Sequence, residues 1–281
     1  MTNRVRRVAT LPLRGVRLLA GYPRRLYLRH WVPRKASFVI SYPKAGRTWL
    51  RLMIASAISQ ATGSKLSLTL ADQADPSRGI PFLVFTHDGA GLTHSRPLAT
   101  DKRQYRGKTV LLLVRNPRDI VVSHYFQATL RKRRRPQVPS LDAFIRGPLG
   151  IDRVLTFMNA WASSRDVPAR FHLVRYEDFH RDPLARLREC VDFLQIQDLS
   201  DAHLAAAVEM ARYERMRELE STGALADPRL SPGDPDDPES FKVRRGKVGG
   251  YVDYLSDEQV AFLNARIRTS MDPLFAYYYD G

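Results

Sequence analysis

The chain has 281 residues, which is enough for one large domain or two small ones. Its 44% hydrophobic and 26% charged residues are typical of a globular protein and exclude wholesale disorder. The single cysteine, Cys190, excludes an intramolecular disulfide and a cysteine-based zinc site. The longest unbroken aliphatic run, 110–114, is far shorter than the ~20 residues of a transmembrane helix.

The charge is strongly positive, with 45 Lys and Arg against 29 Asp and Glu and a formal net charge of +16. Fourteen of the basic residues lie in residues 1–71, ahead of Asp72, which is the first carboxylate in the chain. The rest of the chain is nearly neutral. This asymmetry indicates that the N-terminal part binds an anionic ligand, a nucleic acid or a membrane surface, and charge alone does not choose among them.

Residues 1–35 form a predicted basic arm in which arginines interrupt every apolar run. These interruptions argue against a cleaved secretory signal. Two alternatives stay open for the arm: a segment that packs its Leu and Tyr side chains on the domain behind it, or an amphipathic helix on anionic lipid.

From residue 37 onward, short β-rich runs alternate with helical patterns. The predicted strands are 37–42, 82–86, 109–114 and 170–175, and the predicted helices are 47–61, 117–130, 183–194, 201–213 and 257–268. The continuous apolar strands are typical of a parallel sheet that is buried on both faces. We therefore predict an α/β fold with a mostly parallel sheet in a single domain over 36–281.

The segment 41–50 (SYPKAGRTWL) combines a strand end, a tight turn and a helix start. Gly46 permits close backbone approach, Lys44 adds a cation and Thr48 a hydroxyl, so the segment suits a phosphate at the helix N-terminus. It is not a Walker A loop, because it has one glycine and its lysine precedes it. The strand 109–114 ends in Arg115 where a kinase would place a magnesium-binding carboxylate, which argues for direct anion binding without a metal.

The run 42–49 (YPKAGRTW) resembles the 5′-phosphosulfate loop of the sulfotransferases that use 3′-phosphoadenosine 5′-phosphosulfate (PAPS). Three further segments match that family in the same order: 114–125 (VRNPRDIVVSHY), 173–183 (LVRYEDFHRDP) and 244–251 (RRGKVGGY). The resemblance covers roughly residues 37–255 and implies the P-loop-like fold of cytosolic-type sulfotransferases. It also implies transfer of a sulfuryl group from PAPS to a hydroxyl or amine, with the nucleotide PAP as the second product and no metal.

The resemblance assigns the donor contacts residue by residue. Lys44 and Thr48 would hold the 5′-phosphate within the loop that also contains Ala45, Gly46 and Arg47. The 3′-phosphate would be held by Arg115, Ser123, Arg244, Arg245 and the backbone of Gly246, and the adenine would contact Trp49, Tyr213 and Tyr176. Tyr213 has an alternative interpretation as an aromatic residue on the core face of a helix.

The same family places a histidine base after the second strand, where this chain has His87. Histidine suits that role because its unperturbed pKa is ~6.5. His94 is the competing candidate. The family's lysine two residues before this histidine is Phe85 here, and we expect Arg47 to supply the missing charge. Gly250 replaces an aspartate of the C-terminal motif.

Residues 221–250 are rich in Pro, Gly and Asp and are predicted to form a mobile lid over the donor. The basic run 131–135 is either a solvated helix end or a surface that steers an acidic acceptor.

We expect a cytoplasmic enzyme whose acceptor is a small molecule, a glycan or a lipid. Peripheral contact of its arm with an anionic membrane is an open alternative. The alternatives are a P-loop kinase or NTPase and a basic nucleic-acid-binding protein, and a nucleic-acid partner is not expected because no recognition motif is present.

Overall fold

Four short strands form the centre of the fold, in a computed structural model that describes residues 32–33, 35–92, 95–130 and 140–280. The strands are β1 (Ser37–Ser41), β2 (Leu83–Thr86), β3 (Thr109–Val114) and β4 (Arg170–Arg175). All neighbouring pairs are parallel and the order is β2-β1-β3-β4. β1 and β3 are buried along nearly their whole length, as their continuous apolar sequence predicts.

Helices surround this sheet, and their bounds follow from apolar periodicity and from caps. They are α1 (Arg47–Thr62), α2 (Pro117–Thr129), α3 (Leu141–Arg146), α4 (Ile151–Ala162), α5 (Tyr176–Arg181), α6 (Pro183–Phe193), α7 (Asp201–Met210), α8 (Tyr213–Thr222) and α9 (Asp257–Ser270). α9 begins at the predicted place because Ser256 and Gln259 form a capping box. Residues Lys35–Gly281 make one compact unit, and the predicted α/β fold with its parallel sheet is confirmed.

The predicted C-terminal end of the helix over 201–213 is wrong. α7 ends at Met210, Arg212 is extended, and Tyr213 begins a new helix instead of closing the previous one. The Ala211 carbonyl accepts a hydrogen bond from Trp49 Nε1 at 2.8 Å, so a tertiary contact satisfies the helix end that no glycine or proline marks in the sequence. The two short helices α3 and α5 and the 12-residue helix α4 are not among the predicted elements.

Some predictions lie outside the described residues: almost all of the arm at 1–35, the candidate base His94 and the basic run 131–135. Within the described ranges, no helix is long and apolar enough to cross a membrane.

The parallel register brings the carboxyl ends of all four strands to one edge of the sheet. Each strand is followed there by residues that the sequence singled out: the 42–48 loop after β1, His87 after β2, Arg115 after β3 and Tyr176 after β4. Ligands of open parallel sheets bind at this edge, so the topology alone places the candidate residues together.

Candidate functional site

A cleft of about 450 Å³ opens at the carboxyl edge of the sheet. It is lined by thirteen of the fourteen predicted site residues: Lys44, Gly46, Arg47, Thr48, Trp49, His87, Arg115, Ser123, Tyr176, Tyr213, Arg244, Arg245 and Gly246. The exception is Ala45, which is fully buried behind the loop.

The loop between β1 and α1 is held in a conformation that exposes its backbone. Lys44 and Gly46 both have left-handed backbone angles, with φ of 72° and 91°. A Cβ at Gly46 would lie 2.4 Å from Cδ2 of Tyr176, so this position admits only glycine. No side chain caps the start of α1, which leaves its first N–H groups to an anion. The Lys44 ammonium donates to Gln127 Oε1 at 3.2 Å.

Arg115 links the phosphate loop to the C-terminal motif. Its guanidinium donates to the carbonyl oxygens of Lys44 at 3.2 Å and Lys247 at 3.1 Å. The same group pairs with Asp119 at 3.4 Å and lies 4.3 Å from the centre of the Tyr176 ring. The arginine is therefore oriented by contacts on several sides before any ligand enters.

Asp119 is a functional candidate that sequence reasoning missed. Its carboxylate accepts hydrogen bonds from the backbone N–H groups of Gly249 at 2.9 Å and Tyr251 at 3.0 Å. These contacts tie the C-terminal motif to α2, one helical turn after Arg115. Gly250 replaces the aspartate of the family's C-terminal motif, but this replacement does not affect the two hydrogen bonds to Asp119. Both bonds come from the backbone N–H groups of its neighbours, Gly249 and Tyr251.

The two arginines of the C-terminal motif have acidic partners. Arg244 pairs with Glu239 at 2.9 Å and its guanidinium lies 4.2 Å from the centre of the Phe126 ring. Arg245 is exposed and pairs with Asp253 at 2.7 Å. A phosphate in the cleft would compete with these carboxylates for the guanidinium groups.

Aromatic side chains form the remaining wall of the cleft. Trp49 lies with its ring centre 5.5 Å from that of Tyr176 and 4.9 Å from that of His180. Tyr213 is 38% exposed, and its hydroxyl donates to the Arg244 carbonyl at 2.9 Å. The interpretation of Tyr213 as a core-facing residue is therefore wrong. Its ring also lies against Gly246, where an added Cβ would be 2.8 Å from Tyr213 Cδ2.

His87 lies at the end of β2 and is oriented by the neighbouring strand. Its Nδ1 is 2.9 Å from the Ser41 carbonyl oxygen, which can only accept, so Nδ1 carries the proton and Nε2 keeps a free lone pair. Burial, followed by the positive charge of Arg47, holds the pKa of the imidazole well below its usual value of 6.5. The ring is therefore neutral at pH 7, with Nε2 unprotonated.

Arg51 lies next to Phe85, the residue that replaces the family's lysine. It was not identified from the sequence. It is buried one helical turn after Arg47, and its guanidinium lies 4.5 Å from the centre of the Phe85 ring. Burial and the charge of Arg229 lower the pKa of Arg51 to about 9, so it stays cationic at neutral pH. The i, i+4 spacing of the two arginines was the signal that could have identified Arg51.

Two further residues, His180 and Lys242, line the cleft without a sequence motif that marks them. Among the described residues, no group of three His, Cys, Asp or Glu side chains is placed to hold a metal ion.

Comparison with known proteins identifies this architecture. The family model described as a sulfotransferase domain matches residues 34–275. Sulfotransferase 2A6 of Rattus norvegicus is 26% identical over 191 residues, which is 64% of this chain and 66% of the rat protein. Cytosolic sulfotransferase 17 of Arabidopsis thaliana is 26% identical over 251 residues, 80% of this chain and 70% of that protein.

Solved structures share the fold at low sequence identity. Mouse sulfotransferase SULT7A1 complexed with PAP superposes with a TM-score of 0.61 at 19% identity, covering 88% of this chain and 89% of the mouse chain. Retinol dehydratase in complex with androsterone and PAP has a TM-score of 0.62 at 18% identity, covering 85% and 81%. The predicted enzyme class and P-loop-like fold are thereby confirmed, and the chain belongs to the sulfotransferase family.

Proposed function

We propose that the protein transfers the sulfuryl group of PAPS to a hydroxyl or amine of an acceptor, with His87 as the base. The observation that carries the proposal is the position of His87, whose free Nε2 belongs to the same cleft as the phosphate loop of Lys44 and Gly46. A base and an anion cradle at one sheet edge are what an in-line transfer from an anionic donor needs.

The chain's own residues fit the donor. The glycine cradle at Gly46 and the uncapped start of α1 suit the 5′-phosphate, with the Lys44 ammonium beside them. Arg115, Arg244 and Arg245 supply planar guanidinium groups for the 3′-phosphate, together with the hydroxyl of Ser123. Trp49 and Tyr213 offer aromatic faces to the adenine.

The transfer step assigns one role to each reacting group. His87 Nε2 accepts the proton of the acceptor hydroxyl while the acceptor oxygen forms a bond to sulfur. The bond between sulfur and the oxygen of the 5′-phosphate breaks, and its electron pair leaves with PAP. Lys44 stabilises the negative charge that develops on that leaving oxygen.

The acceptor is inferred to be a small molecule. Two plant relatives are named as flavonol sulfotransferases, for example the flavonol 3-sulfotransferase of Flaveria bidentis, 23% identical over 251 residues. The glycan and lipid acceptors that the sequence left open have no comparable support. A cytoplasmic location is favoured by the relatives that are named cytosolic sulfotransferases, and the membrane contact of the arm stays a prediction.

The direct test incubates the protein with sulfur-labelled PAPS and a pool of phenols and alcohols. The proposal predicts labelled sulfate esters and equimolar PAP, and loss of both in Lys44→Ala and His87→Ala. Release of free sulfate without any ester, or ester formation that survives His87→Ala undiminished, would contradict it.

A further inference from the structure

A group of cations surrounds His87, and it includes Arg47 of the predicted donor loop. Arg47 lines the cleft from the first turn of α1, and Lys242 lines it from the irregular segment before the C-terminal motif. The positive charge of each acts on the His87 imidazole. The cleft therefore has a cationic wall on the side of the proposed base.

Arg229, from a different part of the chain, adds its positive charge to this group. It lies in the 3₁₀ turn Pro228–Leu230, and its guanidinium donates to Thr69 Oγ1 at 2.7 Å. Its Nε donates to both carboxylate oxygens of Asp227, at 2.8 and 3.1 Å, so Arg229 is fixed in place. The charge of Arg229 acts on both Arg47 and Arg51.

The guanidinium of Arg47 lacks a counter-group in the described part of the chain. Its Nη1 is buried and has no hydrogen-bond partner there, and the same is true of Nε of Arg51, which packs on Phe85. A buried guanidinium donor without an acceptor is costly, and like charges one helical turn apart add to the cost. Asp227 offsets part of the charge of Arg229 and Arg51, and an anion beside Arg47 would satisfy its donor and offset the remaining repulsion.

Electrostatic effects agree with this geometry. Burial, followed by the charges of Arg51 and Arg229, pushes the pKa of the Arg47 guanidinium well below its usual value. The charged form of Arg47 is destabilised by its surroundings, and a neighbouring anion would reverse that effect.

We propose that Arg47 and Lys242 form an acceptor subsite that binds a carboxylate, so that the preferred acceptor is a hydroxy acid. Arg51 and Arg229, which do not line the cleft, complete this cationic cluster by their charge. The inference rests on the proposed function and names its acceptor class. Three members of the cluster, Arg47, Lys242 and Arg51, act by their charge on the proposed base, His87. A planar carboxylate matches the fork of a guanidinium, and Asp227 already shows this pairing with Arg229.

The test is calorimetric titration of the PAP-loaded protein with a panel of hydroxyaryl and hydroxyalkyl carboxylates, each paired with its neutral carboxamide. We expect the carboxylates to bind at least about tenfold tighter as a group, as charge-assisted hydrogen bonds predict. The preference should fall to about twofold or less in Arg47→Gln and in Arg229→Gln. It should persist in Arg103→Gln, an exposed arginine that pairs with Asp101 and does not line the cleft.

The outcomes separate the two proposals. If PAP does not bind, both are overturned. If PAP binds and the carboxamides bind as well as the carboxylates, or neither class binds, this inference alone is overturned. If Arg47→Gln weakens PAPS relative to PAP and the carboxylate preference is absent, the cluster serves the donor sulfuryl group and the inference is likewise overturned.

Discussion

At the scale of single residues, we propose His87 as the base because a neighbouring strand fixes its tautomer. The Ser41 carbonyl holds the Nδ1 proton and leaves Nε2 as the acceptor. Replacing His87 with alanine should lower kcat by about 10²–10⁴-fold, the usual contribution of a general base. PAP affinity should change little, since the assigned phosphate contacts come from other residues.

The matched control is His203→Gln. His203 lies in the capping box of α7 and its glutamine variant can keep the cap. Steady-state kinetics should find the control near wild type. A His87→Ala enzyme with wild-type turnover would remove the base from the mechanism.

The pH dependence of kcat/KM should report the environment of His87. Burial and the charge of Arg47 lower its pKa, so the neutral base persists as the pH falls and the acid limb should lie below pH 6.5. In Arg47→Gln one of the causes is removed, the pKa rises, and the limb should move to higher pH. A wild-type limb at or above pH 6.5 that does not move in Arg47→Gln would show that another group controls the rate.

At the scale of elements, the turn between β1 and α1 depends on one glycine. Gly46→Ala would place a Cβ 2.4 Å from Tyr176 and force a side chain into φ of 91°. We expect at least a tenfold loss of PAP affinity, because a backbone shift of about 1 Å disturbs every contact of the loop.

The control for this change lies at the other end of the same helix. Gly63 also has a positive φ, of 67°, but an added Cβ there meets nothing within 4 Å. Gly63→Ala should lower stability by about 1 kcal/mol and leave PAP affinity unchanged. Equal PAP affinity in both variants would mean that the 42–48 loop does not hold the nucleotide.

The segment that precedes the C-terminal motif is anchored at its end. Glu220 is buried, and its carboxylate accepts hydrogen bonds from the backbone N–H groups of Lys242 and Val243. Between the end of α8 and this anchor, residues 223–241 contain only short 3₁₀ turns. The predicted lid, 221–250, is thus an irregular segment held at its far end by Glu220 and Asp119.

Limited proteolysis tests the lid at this scale. A protease should cut between Gly223 and Lys242, PAP should slow the cutting, and Glu220→Gln should speed it several-fold, because loss of a buried charged acceptor costs about 1–3 kcal/mol. Glu218→Gln, an exposed glutamate paired with Arg215, should behave like wild type. Cutting that is equal with and without PAP would argue against a lid.

Sequence could predict what is local or repeated in the backbone. Continuous apolar runs predicted the strands at 82–86 and 109–114, and β-rich composition predicted the other two. The parallel arrangement then required His87 and Arg115 to meet at one edge. The 42–48 loop could be predicted as a phosphate site because Lys44 and Gly46 stand at the same turn.

The remaining contacts depend on tertiary neighbours. Asp119 and Glu220 act by accepting backbone N–H groups that are distant in sequence. The charge of Arg229 acts on Arg47 although about 180 residues of chain separate them, and no local sequence pattern predicts that proximity. The division of 201–213 into two helices likewise depends on Trp49, which satisfies the Ala211 carbonyl.

At the scale of the whole molecule, the sheet edge collects cations into one cleft, although most of the net charge of +16 comes from the first 71 residues. In the proposed function, the Gly46 loop of this cleft holds one phosphate and separate arginines hold another. This division predicts selectivity for a nucleotide that carries phosphates at both the 3′ and the 5′ positions.

Calorimetric titration with PAP and with ADP, with EDTA present throughout, tests that selectivity most directly. We expect PAP to bind at least about tenfold tighter than ADP, because only PAP can reach the arginines with a 3′-phosphate. Equal affinity for ADP, or PAP binding that EDTA abolishes, would contradict a metal-independent 3′-phosphate site in this cleft.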